Sequence, residues 1–114
     1  MNREKSFQDL SLTWNTGERG NNMVFEWDEE KNIINKMKHH ISFETATQVF
    51  SDPNCVELYD FIHSGEEDRY IAIGEVGHVL FVVFTERGER IRLISARLAT
   101  ERERRLYYGQ DICD

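Results

Sequence analysis

The sequence predicts an α+β fold with two N-terminal helices, a four-stranded antiparallel meander and a C-terminal helix. Three observations predict it. Capped segments of helical period fall before residue 55. Four apolar runs separated by turn residues fill positions 56–97. At Thr100 the period changes again, and Glu103 stands at capping-box spacing from it. Elements in that order make a layer of helices segregated from an open sheet.

The pattern begins at Met23. Residues 1–22 have no clear period, and their Gly-Glu-Arg-Gly-Asn-Asn end is turn-like. They form an N-terminal extension, either sequence upstream of a native start at Met23 or a short natural arm. The domain is expected over 23–109, with a tail over 110–114. Val24-Phe25-Glu26-Trp27 is a candidate edge strand outside the meander. Asp28 caps a helix running to about His39, with Glu29 and Glu30 where the helix dipole favours anions and Lys36, Lys38 and His39 near its other end. Ile33, Ile34 and Met37 are expected to be its buried face. Ser42 caps a second helix with an apolar stripe of Phe43, Ala46, Val49 and Phe50, and Asp52-Pro53-Asn54 turns the chain. The strands are expected over 56–62, 69–75, 79–85 and 90–97. Loop 64–68 and tight turns at 76–78 and 86–89 connect them. The last helix carries Leu106 and Tyr107 and stops near Gly109.

A chain of 114 residues with 39% hydrophobic and 31% charged side chains is enough for one core. One proline and no Ser- or Gly-rich linker argue against two domains. No apolar run approaches the roughly 20 residues of a membrane span. Met1 to Leu10 lack the apolar stretch of a signal peptide, so a cytoplasmic location is expected. Cys55 and Cys113 follow no metal or redox spacing and read as two reduced thiols. The four histidines show no ligand spacing either, so neither a metal nor a cofactor is expected.

The net charge of −7 at first sight counts against nucleic acid, but its distribution is uneven. Residues 23–75 carry four basic and twelve acidic side chains; residues 76–108 carry seven arginines and four glutamates. The positive charge lies in the last third and is all arginine, the side chain suited to bidentate phosphate binding and base stacking. A solvated, salt-bridged surface is the plainer account of the same residues. Arg90 and Arg92 share one face of the fourth strand, and Arg97 lies opposite unless a bulge intervenes. Arg69, at the start of another strand, completes a candidate cluster. Such arginines would stabilise the charge that develops when an RNA 2′-hydroxyl attacks its own phosphodiester, a reaction that needs an acid and a base but no metal. The candidate catalytic residues are Arg92, Arg97, Arg69, Glu86 and His39. Lys38, Arg87, Arg90, Arg104 and Tyr107 are candidates for RNA binding. Lys38, Tyr107 and Tyr108 are further acid–base candidates. Against these stand plainer roles: His39 as a cation at a helix C-terminus, Glu86 as a turn residue, and Tyr107 as an anchor of the last helix.

Several stretches together resemble the BrnT family of bacterial toxins. They are Val24 to Lys31, Lys38-His39, Ile41 to Glu44, Val49 to Pro53, Arg69 to Gly74, Val82 to Arg87, and Ile91 to Arg97 with Ala99 and Glu103 to Tyr107. The resemblance covers about 23–108. His40 stands where the family usually has glycine, in a place suited to a left-handed helix cap, and histidine tolerates that conformation better than most residues. The resemblance implies a RelE-like, metal-independent endoribonuclease of a type II toxin–antitoxin pair that cleaves mRNA. It also implies a BrnA-like ribbon-helix-helix antitoxin, through which operator DNA is reached indirectly. A weakly catalytic, antitoxin-binding co-repressor is the alternative. The basic sheet face is expected to meet RNA in the free toxin and acidic antitoxin residues in the complex.

Overall fold

A computed structural model describes residues 23–109. The expected extension over 1–22 and the tail over 110–114 lie outside the described residues. The order is β1 (Val24–Glu26), α1 (Glu29–His39), α2 (Phe43–Ala46), a 3-10 turn (Thr47–Ser51), β2 (Val56–Tyr59), β3 (Tyr70–Val76), β4 (His78–Arg87), β5 (Arg90–Leu98) and α3 (Glu101–Tyr108).

The helix ends form as their residues dictate. The Asp28 carboxylate accepts the Glu30 N–H at 2.9 Å and starts α1. His40 ends it in the left-handed conformation at φ 61°, its N–H donating to Lys36 O. Ser42 Oγ accepts the Thr45 N–H at 3.0 Å, and the helical stretch reaches the Asp52 turn as expected, but as one turn of α followed by a 3-10 turn over Thr47–Ser51. Both halves of the Thr100–Glu103 capping box are made.

The sheet corrects the expected architecture. It has five strands in the order β1-β5-β4-β3-β2 and is mixed: the meander is antiparallel, while β1 runs parallel to β5. The predicted edge strand is therefore part of the sheet, and its partner lies 64 residues along the chain (Glu26 to Arg90). No local pattern records a pairing of that range. β2 stops at Tyr59, earlier than expected, because Asp60 turns the chain: it accepts the His63 N–H and donates its own N–H to Arg69 O. Gly88 (φ 63°) is the first of two turn residues between β4 and β5, and Glu89 after it has no positive φ; this is the type II′ pattern that matches strand twist.

The helices are not confined to one face. The main core lies between Trp27, Ile41, α2 and the 3-10 turn on one side and Phe25, Ala72, Leu80, Val82, Phe84, Leu93 and Ala96 of the sheet on the other. Trp27 packs edge-on to Phe43 and Phe50 to Phe84. Gly74 lets the 3-10 turn lie directly on β3, since a Cβ there would stand 2.9 Å from that of Val49. A smaller cluster of Ile73, Val79 and Ala99, with Tyr107 against it, fastens α3 to part of the opposite face.

The expected buried face of α1 is also wrong. Ile33, Ile34 and Met37 are 49%, 54% and 75% exposed, while Asn32 and Asn35 are buried. The reason is hydrogen bonding. Where β1 ends, Asn35 takes its place beside β5: Nδ2 donates to Ala96 O at 2.8 Å, and Oδ1 accepts the Ala96 N–H at 3.2 Å. The same Nδ2 also donates to Ile41 O at 2.9 Å. Asn32 Oδ1 accepts the Phe43 N–H at 2.8 Å. Buried backbone groups need partners, and two side-chain amides supply them where isoleucines would leave them unmade.

Candidate functional site

A bulge brings the arginines together. In the β4–β5 ladder Val83 pairs with Ser95 but Phe84 pairs with Leu93, so Ile94 is an additional residue on β5. The parity of β5 changes there. Arg90, Arg92, Ser95 and Arg97 stand opposite Arg87, Thr85, Val83 and Phe81, alternate residues of β4, and so share one face. It is the face turned away from α1 and α2, and beyond α3 its middle, at Ile71, Val83 and Ser95, is half-exposed.

Each arginine on this face is held by a carboxylate. Glu26, placed by β1 beside Arg92, accepts from Arg90 Nη1 at 3.0 Å and from Arg92 Nη1 at 2.9 Å, and its side chain is only 8% exposed. Glu103 forms a two-bonded fork with Arg97, Nη1 to Oε1 at 2.8 Å and Nη2 to Oε2 at 2.9 Å. The Arg97 guanidinium also lies 4.0 Å from the Phe81 ring centroid, a cation–π contact. Burial pushes the Glu103 carboxyl up, but the bonds from Arg97 and Thr100 outweigh it, and its pKa falls below the ordinary value. Glu67, from the β2–β3 loop, accepts from Arg87 Nε at 2.8 Å. That bond lowers its pKa, with the charges of Arg87, Arg69 and Arg92 adding to the effect. Two groups result: Arg69, Arg87, Arg90 and Arg92 around Glu26 and Glu67, and Arg97 on Phe81 with Glu103.

Other predicted residues fall elsewhere. Glu86 pairs with Ile91 and projects from the opposite face. There it lies near Tyr70, whose hydroxyl is pushed up by burial and then by the charges of Asp68 and Glu86. Tyr107 does not join the arginines: its hydroxyl donates to Asp52 Oδ2 at 2.5 Å, and burial together with that bond raises its pKa far above the ordinary tyrosine value. Tyr108 stacks edge-on against Tyr107, and Arg104 is exposed on α3. Lys38 and His39 lie at the end of α1, where they border a groove that also contains Ser95, so they approach the arginine face from its side. Among the described residues no group of three or more His, Cys, Asp or Glu side chains is disposed to hold a metal ion. No helix among them is long and apolar enough to cross a membrane.

Sequence reasoning missed Glu26, Glu67, Glu103 as an arginine partner, Phe81 and Ser95. The signal for Glu26 was present: it alternates with Phe25 and Trp27, so the three cannot share a face. The signal for Phe81 required the register, which the bulge sets.

Geometrically, the site is a row of half-exposed guanidinium groups on an open sheet, with donors suited to phosphate oxygens. The family model for "ribonuclease toxin, BrnT, of type II toxin–antitoxin system" matches residues 27–103. Among solved structures, the 1.1 Å crystal structure of the Brucella abortus ribonuclease toxin BrnT is similar, with a TM-score of 0.53 and 24% identity, covering 69% of this chain and 97% of that one. No curated protein matches.

Proposed function

The chain belongs to the BrnT family of ribonuclease toxins of type II toxin–antitoxin systems, and on that premise we propose that its arginine face cleaves mRNA in the cytoplasm without a metal ion. The observation that carries this reading is the bulge at Ile94, which gathers Arg90, Arg92 and Arg97 on one open face. The 2′-hydroxyl of a nucleotide loses its proton to a base and attacks the adjacent phosphorus. The bond to the 5′-oxygen breaks, and that oxygen takes a proton from an acid. The products are a 2′,3′-cyclic phosphate and a 5′-hydroxyl. Negative charge grows on the phosphoryl oxygens during attack, and preorganised guanidinium groups stabilise it. Arg92 and Arg97 have this role, with Ser95 between them. Arg69, Arg87 and Arg90 hold the flanking backbone. His39 and Lys38, beside the groove that reaches Ser95, are the acid–base groups this geometry supports best. Glu86 is on the wrong face for it. A BrnA-like ribbon-helix-helix antitoxin neutralises the toxin and carries the complex to operator DNA.

One observation favours a second reading. Arg90, Arg92 and Arg97 are all ion-paired within the chain, as structural arginines would be. A weakly catalytic co-repressor is then the function. Expression of the chain without its antitoxin separates the two, because a nuclease arrests growth and an inert binder does not. Cleavage by the purified chain is expected to continue in EDTA and to stop when the nucleotide at the cut carries 2′-deoxyribose. Arg92→Ala and Arg97→Ala are expected to lower the rate about 100- to 1000-fold, as loss of an oxyanion donor does, with the far-UV spectrum unchanged. Activity lost in EDTA and restored by magnesium would overturn the mechanism. Unfolding of both variants would assign the arginines to the scaffold.

A further inference from the structure

Between its two arginine groups the sheet carries an uncharged row. Ser95, Val83, Ile71 and Leu58 pair in turn across β5, β4, β3 and β2, so they stand side by side on the arginine face. Leu58 is 38% exposed, and the other three are half-buried. Three inter-strand gaps of roughly 4.7–4.9 Å make the row about 14 Å long. Structure rises on both sides of it. On one side Thr85 is buried and its Oγ1 donates to Asp68 O at 2.6 Å, so the loop over 64–69 lies on the sheet there. On the other, Ile73 is buried against Ala99 and Tyr107, which bring α3 down on the sheet. The row is therefore the floor of a trough that opens at the β2 edge and ends at Ser95, between Arg92 and Arg97.

We propose that this floor seats an unstacked base of the RNA, so that the chain takes single strands and not duplex. The proposal rests on the reading that Arg92 and Arg97 hold the phosphate at the cut. On the β1 side of that point stand the Glu26 carboxylate and the groove with Lys38 and His39, all polar. On the β4 side stands the aliphatic floor, and only there does the flat apolar face of a base gain by leaving water. In a duplex the base faces are stacked on one another, leaving edges, sugars and phosphates outside. Proteins that read single strands splay the bases and cover their faces. A floor sunk between a loop and a helix offers nothing to the outside of a duplex. The charges around the trough suit a polyanion. The five arginines of the face border it, against Glu26, Glu67 and Glu103, each already engaged by one of them. Asp68 is turned to the Tyr59 hydroxyl on the opposite face, Glu75 lies with Tyr107 past Ile73, and Glu66 is exposed in the loop.

The test uses the full chain and an RNA oligonucleotide with 2′-O-methyl ribose, which cannot supply the nucleophile. Three forms are compared by fluorescence anisotropy at one salt concentration, since phosphate contacts depend on it: the single strand, its duplex, and the single strand with central abasic sites. The single strand is expected to bind about 10-fold or more tightly than the other two, the gain typical of a seated base. Val83→Thr with Leu58→Thr keeps residues that suit strands while making the floor polar. That variant should lose about 10-fold in affinity for the single strand and bind the abasic strand as the parent does. Leu58→Tyr, at the most exposed position, serves if the double variant does not fold: it should tighten binding of the base-bearing strand and leave the abasic strand unchanged. Equal binding of all three forms by the parent overturns the proposal, as does a variant that weakens all three alike. So does a floor variant that loses only antitoxin binding, or that only converts a dimer of this chain to monomers. Cleavage of single strand and duplex at equal rates removes the floor and leaves the ribonuclease reading. Base-dependent binding through the floor in a chain that never cuts RNA does the reverse.

Discussion

Glu103 does three things with one carboxylate: it accepts the Thr100 N–H, forks Arg97 and fixes that guanidinium over Phe81. Its pKa is depressed in the folded chain, so it binds a proton less readily there than when unfolded. Stability from this group is complete above the unfolded glutamate value, about 4.3, and is lost as pH falls from there through the folded value. Melting temperature measured against pH should therefore drop on the acid side, and Glu103→Gln should flatten that limb. An identical acid limb in the variant would show that the fork contributes no pH dependence. Glu26 is the corresponding residue for Arg90 and Arg92, but it comes from the far end of the chain. At this scale the sequence was informative about Arg90 and Arg92, which alternate on one strand, and uninformative about which carboxylates hold them. The capping-box spacing disclosed that Glu103 meets Thr100. Nothing local disclosed the pairing of Glu26.

Among the elements, α1 shows both the reach and the limit of sequence periodicity. Its caps and length were legible because they depend on neighbours within one turn. Its orientation was not, because burial was assigned to the apolar residues and the requirement of the β5 edge for hydrogen-bond partners was invisible. The consequence is measurable. Asn35→Ala leaves the Ala96 N–H and two carbonyls, of Ala96 and Ile41, short of partners inside the fold. Each unmade buried bond costs about 1–3 kcal/mol, so chemical denaturation should register a loss in that range or above. A loss well under 1 kcal/mol would mean that water replaces the amide. The meander strands were legible for the opposite reason, since alternation and turn residues are local. The Ile94 bulge was foreseen only as a condition, and it is the condition on which the site depends.

For the molecule as a whole, the separation of charge has a kinetic meaning. The acidic majority of residues 23–75 and the arginines of the last third present different potentials, and the association rate with an acidic partner segment should fall as salt rises. A rate unchanged between low and high salt would remove electrostatic steering from the account. Folding should follow the same division. Contacts within the β4–β5 hairpin are local and form early, whereas β1 can dock only on a finished β5. Val82→Ala is then expected to slow folding, with φ of about 0.5 or more, and Phe25→Leu to act mainly on unfolding, with φ of about 0–0.3. The reverse ranking would place β1 in the folding nucleus. On the ribosome this order becomes a delay. Glu26 is polymerised 64 residues before Arg90, an interval of about 3–13 s at roughly 5–20 residues per second. Throughout it, Glu26 is present without the two arginines it pairs with in the folded chain. A nascent chain therefore carries no assembled arginine face until β5 has been made and β1 has docked on it.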